Sequence, residues 1–173
     1  MRILVTGAAG SGTSTIGARL AESLQATFQE ADDLYWLPTD PPFKEKRSQD
    51  ERLRLLLAQF TQHPRIVVSG SLMGWGAQVE EAFNLIVFLH APTALRLERI
   101  KQRELHLFGF VRPEFIQWAA QYDEGGMAGR SLARHTSWLG QRRCAVLRLE
   151  SVPAPSELVK HIEDEINALP PHQ

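Results

Sequence analysis

Four short runs in this chain are apolar almost without interruption: Ile3–Thr6, Ile66–Ser69, Leu85–Leu89 and Ala145–Leu149. Continuous rather than alternating apolarity suits strands covered on both faces, as at the centre of a parallel sheet. A fifth segment, Ala26–Ala31, is more polar and reads as an edge strand. Between these runs the spacing becomes helical. Ile16, Leu20 and Leu24 share one face, and Leu53, Leu56, Leu57 and Phe60 follow the i, i+3, i+4, i+7 rule. Phe115, Trp118, Ala119 and Tyr122 repeat that spacing, while Leu158, Ile162, Ile166 and Leu169 predict a closing helix. Strands alternating with helices predict an α/β layered sheet. Residues 1–173 are expected to form one domain without repeats or linkers, with a frayed tail at Pro170–Gln173.

Composition narrows the class. The chain is 173 residues long, enough for one ordinary core. A net charge of −1 argues against a nucleic-acid-coating surface, and no helix-turn-helix spacing stands out. The single cysteine, Cys144, excludes an internal disulfide and is expected in the core; the six histidines show no metal-ligand spacing. No apolar run approaches the roughly 20 residues that span a bilayer. The first strand begins at Arg2, leaving no room for a signal peptide, so a cytoplasmic protein with no membrane and no nucleic-acid partner is expected. Fifteen arginines stand against four lysines. Arginine is the better planar phosphate ligand, but only the positions of these residues carry weight.

The chemistry begins at Gly7–Thr15, GAAGSGTST. It fits the phosphate-loop pattern G-x-x-x-x-G-K-[ST] with Gly7 and Gly12 in the glycine places and Ser14 in the hydroxyl place. Thr13 stands where the pattern asks for lysine. A buried strand precedes the loop and an amphipathic run follows it, the context such a loop requires. Glycines at 7, 10 and 12 let the backbone turn tightly and aim its amides inward, and the next helix adds its positive dipole end. Gly7, Gly10, Ser11, Gly12, Thr13, Ser14 and Thr15 are therefore the expected cradle of a nucleoside triphosphate, with Ser14 holding magnesium. Thr13 removes a charge from the β/γ-phosphates, a loss that typically costs about 10²–10³ in rate unless another cation substitutes. Binding should survive this change better than turnover.

In open parallel sheets, ligands collect beyond the carboxyl ends of the strands. There the chain offers Asp32, Asp33, Tyr35 and Trp36, then a proline-broken loop from Leu37 to Lys46. After the third strand come Ser69 to Gly76, and after the fifth, Glu150 to Pro153.

With GAAGSGTST, the segment Ala31-Asp32-Asp33-Leu34-Tyr35-Trp36 and an arginine-bearing helix after the fourth strand, the chain resembles the P-loop small-molecule kinases. That group contains nucleoside monophosphate kinases, shikimate kinase and gluconate kinase; adenylate-kinase-like proteins and DNA topology modulation proteins look closest. Some cytidylate kinases similarly carry threonine at the lysine position. The resemblance implies a three-layer P-loop NTPase fold, a five-stranded parallel sheet of order 2-3-1-4-5, and a helical lid inserted at about 103–130. It implies ATP and Mg2+ as cofactors and a small-molecule acceptor, with a nucleoside monophosphate one candidate. Asp32 would sit near magnesium or take the acceptor proton, with Asp33 assisting. The bland alternative for both is a helix cap or solvated turn. Tyr35 and Trp36 are an acceptor wall or simply core. Ser69 stands where related kinases often place a magnesium-supporting aspartate, which puts more of the metal work on Asp32 and Asp33. Trp75 could pack on a flat substrate.

Arg96, Arg99 and Arg103 share one helix face where such lids begin, with Arg112, Arg130 and Arg134 following. Arg99, Arg103 and Arg130 are the expected catalytic cations, against a solvated face paired with Glu98 and Glu104. Gly125 and Gly126 are a candidate hinge. Lys44, Lys46, Arg47 and Arg52 either approach an anionic acceptor or decorate a helix start, where Ser48 and Glu51 are spaced like a capping box. Two functions stay open: an ATP-dependent phosphotransferase, or a nucleotide-binding regulatory protein with little or no transfer. Thr13 and Ser69 favour the second reading; Asp32, Asp33 and the arginines favour the first.

Overall fold

Because successive strand residues face opposite sides, strands apolar at every position must be covered twice. The computed structural model, which describes residues 1–125 and 129–168, builds that arrangement. The strands are β1 (Arg2–Gly7), β2 (Thr27–Glu30), β3 (Ile66–Ser69), β4 (Leu85–His90) and β5 (Ala145–Glu150). They form one parallel sheet in the order β2-β3-β1-β4-β5. The helices are α1 (Thr13–Ser23), α2 (Ala31–Tyr35), α3 (Gln49–Gln62), α4 (Ala77–Glu80), α5 (Thr93–Phe108), α6 (Pro113–Ala120), α7 (Leu132–Gly140) and α8 (Pro155–Ala168). Leu169 and the tail Pro170–Gln173 lie outside the described residues, as does Gly126 of the candidate hinge.

The two faces of the sheet are separate cores. Ile3, Val5, Val67, Val87 and Leu89 pack with Ile16 and Leu20 of α1 and Leu158 and Ile162 of α8. Leu4, Val68, Ile86 and Phe88 turn the other way, onto Leu56 and Phe60 of α3, Trp75, Val79 and Trp138. The alternation Ile3–Leu4–Val5 between the two clusters is the three-layer architecture at residue scale.

Ala145–Leu149 is not buried on both faces as its apolarity suggested. Leu147 and Leu149 pack on one core and Val146 on the other, while Ala145, Arg148 and Glu150 are exposed. The cause is position: β5 is the outermost strand beside β4. Cys144 lies just before it, half-buried against the α3 side, and burial pushes its thiol pKa up. Tyr122 falls beyond the end of α6, buried in the following turn.

Candidate active site

β1 occupies the middle of the sheet and delivers the phosphate loop to its carboxyl edge, where Gly7 pairs with Leu89. The loop needs its glycines. Gly10 has φ +80°, and a Cβ there would fall 2.4 Å from the Arg96 carbonyl oxygen. Gly12, with φ +90°, is the left-handed residue from which α1 starts. The Ser11 hydroxyl is buried and donates to Ala8 O at 2.8 Å, so this side chain shapes the turn rather than facing a ligand. Thr13, Ser14 and Thr15 open α1 and line a cleft of about 410 Å³ together with Gly10, Gly12, Arg99, Arg103, Ser151, Pro153 and Leu158. Backbone amides and the positive end of α1 meet a small apolar wall, the shape a nucleotide requires.

Arg99 takes a position beside the lysine-less loop. Its Nη2 donates to Ser151 O at 2.9 Å, and its Nη1 reaches Ser151 Oγ at 3.4 Å and Gly10 O at 3.5 Å. Arg103, one turn on, lines the same cleft and is exposed. The other arginines of the series do not line the cleft. Arg96 is 0 % exposed, bonded throughout to protein oxygens. Arg112 pairs at 2.6 Å with buried Glu104, whose pKa that bond lowers. Arg130 lies 5.4 Å from the Trp118 ring centroid, and Arg134 donates to Gly129 O.

At the end of β2, Asp32 and Asp33 open α2, both exposed. Glu30, the last residue of β2 and two positions before Asp32, is the one that sequence reasoning missed. It pairs in register with Ser69 and accepts from the Ser69 hydroxyl at 3.1 Å. Burial pushes its carboxyl pKa up; hydrogen bonds from Ser14 and Ser69 pull it partly back, and the charges of Asp32 and Asp33 raise it further. Ser69 is thus a support for a carboxylate rather than a missing one. The signal available in the sequence was its place: Glu30 is the last residue of the polar edge strand, at the ligand-binding edge of the sheet.

Magnesium takes hard oxygen donors and keeps a place for substrate phosphates. Ser14 Oγ and the Glu30 carboxyl suit it. Among the described residues no cluster of three His, Cys, Asp or Glu could hold a metal ion.

Beyond α2 the chain forms a strap. Leu37 N donates to Glu45 O and Arg47 N to Tyr35 O, with Trp36 and Lys46 bridged. Lys46 Nζ lies 5.8 Å from both the Tyr35 and Trp36 ring centroids, and Arg52 is stacked over Tyr35 at 4.5 Å and Trp75 at 5.2 Å. Trp75 is only 2 % exposed, so it is core and not a substrate platform. Ser48 caps α3 by accepting from Glu51 N–H, while the Glu51 carboxylate turns to Arg47 at 3.0 Å.

A family model described as "AAA domain" matches residues 3–107. The chain is 35 % identical over 176 residues to the uncharacterized protein YqaC of Bacillus subtilis strain 168, covering 96 % of this chain and 97 % of that protein. Among solved structures it is similar to a shikimate kinase from Bacteroides thetaiotaomicron, at a TM-score of 0.63 with 15 % identity, covering 96 % of this chain and 98 % of that one. A sugar kinase from Janibacter sp. HTCC2649 gives 0.61 at 18 % identity, covering 96 % and 94 %. A gluconokinase from Sinorhizobium meliloti 1021 gives 0.54 at 20 %, covering 96 % and 95 %. At these identities the structures speak for the fold.

Proposed function

The chain belongs to this AAA-domain family and has the P-loop kinase fold, and from that premise we propose an ATP-dependent phosphotransferase acting on a small acceptor. The observation that carries the reading is the convergence on one sheet edge of the loop amides, Ser14, Glu30, Asp32, Arg99 and Arg103. The loop and α1 hold the triphosphate, and the wall of Pro153, Pro155 and Leu158 receives the base. Ser14 and Glu30 would hold a magnesium ion, which would supply charge neutralisation to the triphosphate. An acceptor hydroxyl oxygen bonds to the γ-phosphorus as the bond to the β,γ-bridging oxygen breaks and ADP leaves. The Asp32 carboxylate takes the acceptor proton, and Asp33 helps hold the acceptor. Arg99, with Arg103, stands in for the ammonium absent at Thr13, as an arginine finger does in other phosphoryl-transfer enzymes. Arg130, seated on Trp118, would contribute only after lid closure over 103–130. Lys46, Arg47 and Arg52 on the acceptor side favour an anionic acceptor.

A second reading is a nucleotide-binding regulator, favoured by Thr13 alone. An ADP-release assay with MgATP against nucleoside monophosphates, shikimate-like acids and sugar acids separates the two. The kinase predicts acceptor-dependent ADP release that disappears in Asp32→Asn. Tight MgATP binding with no acceptor-dependent release would establish the regulator.

A further inference from the structure

The first turn of α5 carries a charge that the proposed reaction does not use. Arg96 is 0 % exposed, a state that demands compensation for a guanidinium. All five of its donor directions find oxygen. Nε donates to Ala91 O at 3.1 Å, Nη1 to Ala119 O at 3.1 Å and to Ala9 O at 3.5 Å, and Nη2 to Thr93 Oγ1 at 2.9 Å and Asp123 Oδ2 at 3.1 Å. These partners belong to separate pieces of chain: the phosphate loop, the β4–α5 turn, α5 itself, the last turn of α6, and the turn beyond it.

The geometry is tight on both sides. The loop lies against the Arg96 backbone so closely that Gly10 has no room for a Cβ. On the far side the cation holds the C-terminal carbonyl of α6, where the helix dipole is negative. Tyr122, 5.2 Å away, closes the pocket with its ring. Asp123 Oδ1 is buried and accepts nothing among the described residues, so the carboxylate has a second oxygen free for a two-pronged grip. α6 in turn presents Phe115 to Arg103, whose guanidinium lies 6.0 Å from that ring centroid at the cleft.

For the loop amides to face an anion, loop carbonyls such as Ala9 O must face away, and Arg96 is the donor beneath that carbonyl. We propose that Arg96 is a positioning residue linking occupancy of the phosphate loop to the seating of α6, and through Phe115 to the placement of Arg103. This rests on the nucleotide reading given above. When the loop tightens on phosphate, the guanidinium follows Ala9 and draws Ala119 and Asp123 with it. A buried ion pair kept only for stability would hold α6 alike with and without nucleotide, whatever its removal costs the fold.

Hydrogen exchange on the full chain, with and without MgATP, reads this directly, because no α6 residue lines the cleft. In the unsubstituted protein, nucleotide should slow exchange at the phosphate loop and also across 113–125. Arg96→Lys keeps the charge but loses the planar fork; loop protection should persist while the 113–125 response falls about fivefold. In the same variant kcat should drop about tenfold with the KM for ATP changed less than about threefold. Asp123→Asn, which keeps an acceptor oxygen, should move both readouts in the same direction. Loop protection with unchanged exchange at 113–125, or a 113–125 response that survives both substitutions, would overturn the link while leaving the nucleotide reading intact. No protection anywhere would overturn both.

Discussion

Glu30 carries the sharpest test at the scale of single residues. Its folded pKa is raised, chiefly by burial, above the value an unfolded chain would show. Raised in this sense, a carboxylate is favourable to folding only while protonated, and that contribution is lost as pH rises through the folded pKa. Glu30→Gln should therefore raise Tm at pH 7 while lowering Mg-dependent turnover at least tenfold, a separation that thermal melts and rates measure independently. Arg99 gives the second. Arg99→Met is expected to cost about 10²–10³ in rate, whereas Thr13→Lys should change activity by less than about threefold because a cation already stands at the loop. A large gain in Thr13→Lys would show that no arginine fills the role. The glycine frame and Ser14 were legible in the sequence because backbone requirements leave fixed spacings. Glu30 was marked only by its place at a strand end, and nothing local distinguishes a solvated strand end from one opposite Ser69. Arg96 was grouped with Arg99 and Arg103 by helical spacing, which is blind to what covers the first turn.

Elements show a different balance. Helix faces and central strands followed from periodicity. β5 did not, because apolarity alone cannot say which strand is outermost, and the last neighbour in a sheet keeps its alternate side chains partly wet. The cap on α3 was visible in Ser48 and its spacing; Ser48→Ala should cost about 1 kcal/mol in urea unfolding. α7 holds a titration that only tertiary packing creates. His135 is 0 % exposed, its Nδ1 bonded to the Tyr122 hydroxyl at 2.5 Å, and burial first, then the charge of Arg130, pushes its pKa down to about 4. Burial pushes the Tyr122 pKa up, so both groups are neutral in the working range. An unfolded histidine binds its proton near pH 6.5, so the folded state loses stability as pH falls from about 6.5 toward 4, by about 3 kcal/mol at most. His135→Gln should flatten the Tm profile across that window.

For the molecule as a whole, the five parallel strands in the order β2-β3-β1-β4-β5 put the phosphate loop, the start of α2 and the turn into α5 beyond the carboxyl ends of a single sheet. Binding at that edge should be felt throughout. At a hundredfold excess over Kd, MgATP should stabilise the fold by about 2.7 kcal/mol, a rise of roughly 5–10 °C in Tm for a chain of this size. An unchanged melt at millimolar MgATP would remove the nucleotide from the account.

The loop that opens the chain sits on a strand wedged between β3 and β4, and its floor is an arginine near position 100. During translation these residues emerge before both neighbouring strands and have nothing to lean on until β3, β4 and Arg96 have followed them out of the ribosome. A nascent chain stalled before β4 should be unable to grip ATP, however completely its glycine motif has been made.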